Sequence, residues 1–507
     1  MKRTVVCISA FLSCIFAVQG RDRLSDSTSV WSRGGMSVMS LAEPAARGGS
    51  LEAGGRFLSG NAHLAQDNAS ESGLAIRADG GRTVGRLRLG GTFSFAQDWL
   101  KGRSYADQFN PLSSNPFKLA SELPGDYTRQ TCAFSADAAS WILSDVLAFG
   151  LGGDYMVGDL SRSNDPRSRS QILDLHLTPS LLWKINARNS LSAAFLYGYS
   201  REKMLTLNSR AEALDKYKYY ELLGVGEYVP VGVIGFSRRY SGHLWGGGLQ
   251  YNYASVRFNA GVWVNYSSRT TNIRGETGES PGDYTLARLE AGSVLSFRGD
   301  SFLNQFELQF AMDDGGSNRF VQEKRIVTND QGRVEMYWET LLEMPYYNCS
   351  GFSAEGRWTI RPAGGSPSWW TGVSASWTSK TSETLQPASS FSFSRFGASA
   401  LAGTSVHFSR GRALELSGSA GAVLSLGVNN DENPKLESEG KTLLLDGVLR
   451  PDAELLRRNA LTLSVDIEYI FPATGMLFGI FVDAACLHTF SVSGSRQLLQ
   501  AGLKLYY

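Results

Sequence analysis

The chain has 507 residues, of which 42% are hydrophobic and 19% are charged, and its formal net charge is +1. This hydrophobic share excludes a disordered chain, and the absence of a basic stripe argues against a nucleic-acid partner. No run of about 18 apolar residues follows the first 20 residues, which excludes a bundle of membrane-spanning helices. Because no linker or compositional break divides the chain, we expect one large domain.

The first 20 residues have the pattern of a secretory signal peptide. Lys2 and Arg3 precede an apolar run from Thr4 to Val18, and Val18-Gln19-Gly20 resembles a small-residue cleavage site. We therefore predict a signal peptide over residues 1–20 and export through the inner membrane.

Residues 21–82 have no clear period. Ser50–Leu58 and Gly73–Ala78 are candidate short strands, and Asp79-Gly80-Gly81 is a candidate hairpin turn. This N-terminal segment either adds one hairpin to the structure that follows or lies in the periplasm or lumen as a small separate piece. The sequence leaves both alternatives open.

From residue 83 to residue 507, apolar and polar residues alternate in long runs. Between Leu173 and Trp183 every odd-numbered position is apolar, and after the polar turn Asn186–Asn189 a second alternating run extends from Leu191 to Tyr199. A period of two indicates strands. Each run is close to the roughly 9–11 residues that a tilted strand needs to cross a bilayer, and aromatic residues lie at the run ends.

The recurrence of such runs predicts an all-β protein, a transmembrane antiparallel β-barrel over residues 83–507. We count about 16 strands within a range of 14–18, where 18 includes the N-terminal pair. Short connections are expected in the periplasm, with both termini, and long connections outside the cell. Thr442–Leu456 is not counted as a strand, because it would break this alternation. The predicted long loops are residues 98–126, 202–239, 268–283, 313–351, 379–390 and 427–459.

The last strand, Arg496–Tyr507, carries apolar residues at alternate positions and ends in an aromatic residue. It resembles the C-terminal strand that the outer-membrane barrel assembly machinery reads. We therefore predict that the protein resides in the outer membrane of a Gram-negative cell, with outer-membrane lipid and the assembly machinery as partners.

Charged side chains of both signs fall on the face predicted to line the lumen. A selective ion pore would favour one sign in a ring, so these groups either line a solute path or pair with one another along a wet wall. The lumen-facing candidates are Arg86, Arg88, Asp174, His176, Lys184, Arg257, Arg288, Glu290, Glu307, Asp466 and Glu468.

Loop 202–239 is rich in tyrosine. Tyr217, Tyr219, Tyr220 and Tyr228 either fold inward as a constriction or cap the rim of the barrel.

No catalytic, cofactor or metal site is predicted. Gly278-Glu279-Ser280-Pro281-Gly282 matches the G-x-S-x-G pattern of serine hydrolases, but it lies in a loop and not between a strand and a helix. His176 has Asp174 beside it on the lumen face, which leaves a hydrolase as a minor alternative without an identified nucleophile. The five histidines lack metal-ligand spacing.

Asp165-Pro166-Arg167, followed by the run from Leu173 to Pro179, resembles a recurring block of an uncharacterised family of Bacteroidota outer-membrane β-barrels, a domain of unknown function. The likeness extends from about Arg82 to Tyr507. It implies that the chain is encoded near TonB-dependent transporters, with such a transporter as a partner and an accessory role in nutrient uptake, and it carries no catalytic residues.

The sequence therefore favours a porin-like channel, or an accessory component, for uptake of a small solute or nutrient. The alternative is a non-transport protein, either a surface-binding protein or a structural partner of an outer-membrane complex. We do not expect an enzyme. A TonB-dependent receptor itself is disfavoured, because such proteins resemble 22-stranded barrels with a large plug and too few residues precede Val84.

Overall fold

The structure is a computed structural model that describes Val38, Leu41 and residues 48–165, 167–207, 219–231, 236–328, 334–364, 368–438, 440–473, 475–490 and 494–507. The predicted signal peptide, residues 1–20, lies outside these residues. In chain order the strands are β1 (Gly48–Gly60), β2 (Ser70–Val84), β3 (Leu87–Arg103), β4 (Phe117–Ser121), β5 (Gly125–Leu143), β6 (Leu147–Arg162), β7 (Arg167–Lys184), β8 (Asn189–Leu207), β9 (Tyr219–Leu223), β10 (Tyr228–Val231), β11 (Ser237–Ala254), β12 (Phe258–Gly275), β13 (Gly282–Arg298), β14 (Phe302–Thr328), β15 (Val334–Pro362), β16 (Ser368–Leu385), β17 (Ala388–Phe408), β18 (Arg412–Asp431), β19 (Ala460–Ala473), β20 (Met476–Thr489) and β21 (Gly494–Tyr506).

From residue 48 on, the helical segments in the described part of the chain are short. They comprise the 3-10 turn Ser409–Gly411, the helix Pro434–Ser438, the π-helical turn Leu445–Leu449 and the helix Arg450–Arg457. None of the helices in the described residues is long and apolar enough to cross a membrane. The prediction that Thr442–Leu456 is not a strand is confirmed.

Eighteen strands form one closed antiparallel barrel, and β4, β9 and β10 form a separate sheet of three strands. Each barrel strand pairs with its neighbours in chain order, and β1 closes the ring by pairing with both β2 and β21. At this seam Ser50 lies between Asp79 and Tyr506. Closure leaves no strand edge unpaired, which a sheet surrounded by hydrocarbon requires. The predicted barrel is confirmed, with 18 strands.

Residues before Val84 supply two of these strands. This is the first of the two alternatives, in which the N-terminal segment adds one hairpin. The predicted turn at Asp79–Gly81 is wrong, because these residues lie within β2 and pair with β1 and β3. The small glycine residues instead leave space at the seam. A Cβ on Gly49, opposite Gly80, would lie 2.7 Å from the Tyr507 hydroxyl oxygen, so glycine makes room for this last side chain.

A residue ahead of β1 also contacts the inside of the barrel. The Val38 backbone N–H donates a hydrogen bond to Ser180 Oγ at 3.3 Å, and the Val38 side chain packs against Ala148 and Leu182. The N-terminal part of the chain therefore both extends the wall and occupies the lumen near the short turns.

The apolar face predicted for the clearest hairpin points away from the lumen. Leu177, Leu181 and Trp183 are 41%, 48% and 51% exposed, whereas Asp174 and Ser180 are buried. Leaving a large apolar side chain in water forgoes about 1.5–3 kcal/mol, so a whole wall of such residues requires lipid around it. The inverted arrangement, with polar residues inside, is typical of a transmembrane barrel.

Three of the predicted long loops are mostly strand. Residues 268–283, 313–351 and 379–390 reduce to connections after Gly275, Thr328 and Leu385. These strand ends continue beyond the lipid, where the outer face need not be apolar. Backbone pairing persists there without the alternating pattern, which explains why the sequence alone indicated loops.

The hairpin of β14 and β15 is the longest in the barrel. Pairing with β13 ends at Arg319 and pairing with β16 ends at Tyr347. Beyond these residues the two strands pair only with each other, up to Thr328 and Val334. We call residues 320–328 and 334–346 the ribbon. It projects from the end of the barrel that carries the long connections.

The closing role of β1 gives a test of the topology. A chain that begins at Gly48 should still fold, whereas a chain that begins at Ser70 lacks β1 and leaves β2 and β21 parallel, unable to form the antiparallel seam. Unpaired backbone groups in hydrocarbon cost several kcal/mol each. Heat-modifiable mobility on gel electrophoresis measures folding, and equal folding of the two chains would contradict the topology.

Candidate functional site

One end of the lumen is filled by the three-stranded sheet β4, β9 and β10, which we call the plug sheet. It is formed by the connection between β3 and β5 and the connection between β8 and β11, where long loops were predicted. Phe117, Tyr219 and Leu223 of the plug sheet form one buried cluster with wall residues such as Tyr240 and Ile273. The loops therefore turn inward and pack against the inner wall at this end of the barrel.

Helical residues pack on the other side of the plug sheet. Ala120, Tyr220 and Leu222 form a second buried cluster with Leu444 and Val448. We call the plug sheet together with residues 442–457 the plug. The tyrosines of loop 202–239 take the inward alternative: Tyr219 and Tyr220 are buried, and the Tyr220 and Tyr228 rings meet edge to face at 5.1 Å. Tyr217 lies outside the described residues.

Buried ion pairs fix the plug sheet to the wall. Arg238 of β11 donates from Nε and NH2 to the two carboxylate oxygens of Glu221 on β9, at 2.7 and 3.0 Å. Its remaining nitrogen donates to Glu279 of the β12–β13 loop at 2.7 Å. We call the pair Arg238–Glu221 the latch. In the loop before β4, Asp107 lies 3.5 Å from Arg162 of β6, with both side chains fully buried.

A cavity of about 630 Å³ lies between the plug and the inner wall. Strands β7, β8 and β11 to β17 supply its wall, and residues from β4 and the helix Arg450–Arg457 supply its plug side. Two clusters of charged side chains, both predicted in part from the sequence, lie on the wall.

The first cluster contains Asp174, His176 and Arg269. His176 Nε2 is 3.3 Å from Asp174 Oδ1 and 3.3 Å from an Arg269 guanidinium nitrogen. Gly198 on β8 makes room for the imidazole, because a Cβ there would lie 2.5 Å from His176 Cδ2. Within the described residues, no hydroxyl or thiol is hydrogen-bonded to His176.

The second cluster contains Arg288, Glu290 and Asp313. The Arg288 guanidinium donates to Glu290 at 2.7 Å and to both oxygens of Asp313 at 3.0 and 3.1 Å. Arg269 and Asp313 complete the two clusters. Strand alternation did not indicate either residue, because both fell in predicted loops.

The other lumen candidates lie away from the cavity. Arg86 and Arg257 are in exposed turns, where strand alternation no longer fixes the side of a residue, so they do not line the wall. Lys184 lies at the short-turn rim, 6.0 Å from the Trp141 ring. On the inner wall, Arg88 lies near Asp137, and Glu307, Asp466 and Glu468 accept hydrogen bonds from Gln305, Ser417 and Tyr506.

The described residues contain no group of three or more histidine, cysteine, aspartate or glutamate side chains that could hold a metal ion. The acidic segment Asp313–Asn318 lies within β14.

A family model matches residues 41–507, which include every strand of the barrel. The chain belongs to the Family of unknown function (DUF6850). The predicted likeness to an uncharacterised family is confirmed in this respect. None of the curated proteins compared with the chain matches it.

Several solved outer-membrane proteins are similar to this DUF6850 barrel. They include the ferric preacinetobactin receptor BauA of Acinetobacter baumannii (9% identity, TM-score 0.41, covering 91% of this chain and 80% of that chain), the copper transporter OprC (10%, 0.39, 92% and 81%) and the monoaromatic hydrocarbon channel TodX, as a deletion mutant (10%, 0.30, 93% and 92%). At these identities and scores the likeness says nothing about solute or mechanism. The strand pairing of the chain itself shows a closed antiparallel β-barrel of 18 strands.

Two titratable groups of the DUF6850 plug face the cavity. Lys118 of β4 donates from Nζ to the Pro111 carbonyl at 2.8 Å, and burial together with the positive charge of Lys380 lowers its pKa to about 7. Asp452 accepts a hydrogen bond from the Ala65 N–H at 2.7 Å, and burial raises its pKa to about 7. Neither residue lies in a periodic run, so no sequence pattern indicated it.

Asp452→Asn should stabilise the docked plug, and the gain should depend on pH. In the docked state the pKa of the Asp452 carboxyl is raised to about 7. The wild-type protein therefore loses docking stability as pH rises from about 4 towards 7. Asparagine keeps a hydrogen-bond acceptor for the Ala65 N–H, and because its amide does not ionise, that loss does not occur. We expect a higher unfolding temperature for the variant at pH 8 and a much smaller difference at pH 5. A gain of equal size at both pH values would contradict this account of the plug.

Proposed function

We propose that this protein is an outer-membrane barrel that admits a small polar solute through a lumen closed by its own loops. Passage is then gated: the plug must move before the solute crosses. The observation that carries the proposal is the plug sheet, joined to the wall by the buried latch Arg238–Glu221 and facing a cavity on its inner side.

The latch accounts for a resting closed state. Both of its side chains are less than one-tenth exposed, and the carboxylate is held by two charge-assisted hydrogen bonds. Separating a buried pair leaves an uncompensated charge and costs about 3–5 kcal/mol. A plug held in this way stays docked unless a ligand or a partner supplies a comparable free energy.

The size and polarity of the cavity set the class of solute. Sites for small molecules have volumes of about 300–1,000 Å³, and 630 Å³ lies within that range. Its wall carries Asp174, Arg269, Arg288 and Asp313, which suit a polar or charged solute better than an apolar one. A TonB-dependent transporter as partner, which the family resemblance implies from gene proximity, fits this proposal, since such a partner could supply the opening step.

Conductance in a planar bilayer tests the gate. The intact protein should show few or no open steps. Arg238→Met removes the guanidinium from Glu221 and leaves that carboxylate buried and unpaired, so the plug should be released for a measurable fraction of the time. We expect frequent open steps from this variant.

Arg325→Met is the matched control. Arg325 also binds a glutamate at 2.7 Å, but the pair with Glu339 is about half exposed and lies on the ribbon, away from the plug. Exposed pairs contribute about 0–1 kcal/mol, so conductance should not change. Stable large steps from the intact protein would refute a closed resting state.

The ribbon favours a second candidate function, a surface-binding role. Ile326, Val334, Leu341 and Leu342 are large apolar residues more than half exposed at its tip and edges. Exposed apolar patches of this kind mark interaction sites. A barrel that stays closed with Arg238→Met as well as in the intact form would favour this role over solute passage.

Localisation is tested by fractionation. We propose that residues 1–20 are removed on export and that the barrel is inserted by the assembly machinery through its last strand. Replacing the terminal Tyr507 by serine removes the aromatic end of that strand and should reduce the amount of protein in the outer membrane. Unchanged amounts would argue against recognition of this residue.

A further inference from the structure

We propose that the cavity beneath the plug binds the anionic group of a small organic solute between Lys118 of the plug sheet and Lys380 of the barrel wall. The inference deepens the proposed solute path and rests on it for its physiological meaning. It assigns the solute a class: a small molecule with a carboxylate or phosphate group.

The carboxylates of the wall already have partners. Asp174 is paired with Arg269 and His176, and Glu290 and Asp313 share Arg288. Glu202 accepts hydrogen bonds from the Ser170 hydroxyl and the Phe109 N–H.

The two lysines differ from these groups. Lys118 has only the Pro111 carbonyl as a hydrogen-bond acceptor, and in the described part of the chain neither Lys118 nor Lys380 forms an ion pair with a carboxylate. Lys380 lies on β16 opposite Gly351 and Phe393, both of which line the cavity.

The charges on the two lysines act on each other. The positive charge of Lys380 helps to lower the pKa of Lys118, and Arg103 adds to this effect. Asp452 opposes it, but its own pKa of about 7 leaves it only partly ionised near neutral pH. An anion between the lysines would neutralise both and restore the proton of Lys118. Hydrogen bonds from ammonium groups to carboxylate or phosphate oxygens are among the stronger ones in proteins.

The remaining lining suits the organic part of such a solute. Ser114, Ser350 and Ser382 offer hydroxyl groups, and Phe352 and Phe393 offer apolar surface. A few polar groups that fix orientation within a partly apolar lining are characteristic of small-molecule sites.

Calorimetric titration of the complete mature protein in lipid nanodiscs tests the inference. The probes are inorganic phosphate and succinate, which separate a phosphate preference from a carboxylate preference. At least one should bind, and Lys118→Met and Lys380→Met should each weaken binding by about tenfold or more, since loss of one charge-assisted hydrogen bond costs roughly 1.5–3 kcal/mol. Lys435→Met, on the helix Pro434–Ser438 and exposed, is the control and should bind as the wild type does.

Two results would overturn the site: neither probe binds the wild-type protein, or binding persists in the double variant. Lys380→Met keeps the test informative if Lys118→Met fails to fold, since the plug makes no hydrogen bond to Lys380 within the described residues. The site and the gate can fail separately. Binding that depends on both lysines, with no conductance from Arg238→Met, would support the site and reject the gated path.

Discussion

Hydrocarbon offers no hydrogen-bond partner to a peptide group, and the rest of this structure depends on that constraint. It requires every strand to pair with a further strand, until the last strand pairs with the first. In this chain the return is made by β21 against β1, the strand that the least periodic part of the sequence provides. Gly49 and Gly80 at that seam accommodate Tyr507, so local composition there serves closure and not turn formation.

Closure at 18 strands creates a second physical problem, an interior too wide for wall side chains to fill. In this chain the connections between barrel strands fold inward and fill part of that interior. The plug sheet presents apolar residues to the wall on one face and to the helical segment on the other. Its buried carboxylate Glu221 is paired with Arg238 of the wall. The cavity remains where the plug and the wall do not meet.

Period-two alternation predicted the membrane-spanning parts well, because lipid on one side and a wet lumen on the other impose opposite polarity on successive residues. Leu177 and Asp174 lie on the sides that this rule gives. The rule fails where lipid ends. Asp313 and Arg269 belong to strands that continue past the membrane, and Arg86 and Arg257 lie in turns, so in these four cases the pattern gave no usable direction.

The candidate site was predictable only in part for the same reason. Asp174, His176, Arg288 and Glu290 lie on strands within the alternating runs, and the structure brings them to one cavity. Lys118, Glu221 and Asp452 come from connections, whose folding inward depends on contacts between segments more than 100 residues apart. No local pattern records those contacts.

Thiol labelling of Cys349 tests the central claim, a lumen closed by the plug, most directly. This cysteine is 5% exposed, lines the cavity and lies 3.2 Å from the Tyr284 hydroxyl oxygen. Cys132 and Cys486 pair across strands with the lipid-facing Phe95 and Leu463 and can be replaced by alanine. With a bulky polyethylene glycol maleimide, Cys349 should be protected in the folded barrel and should react many-fold faster when Arg238→Met releases the plug. Reaction at the unfolded-protein rate in the intact barrel would contradict a lumen closed by its own loops.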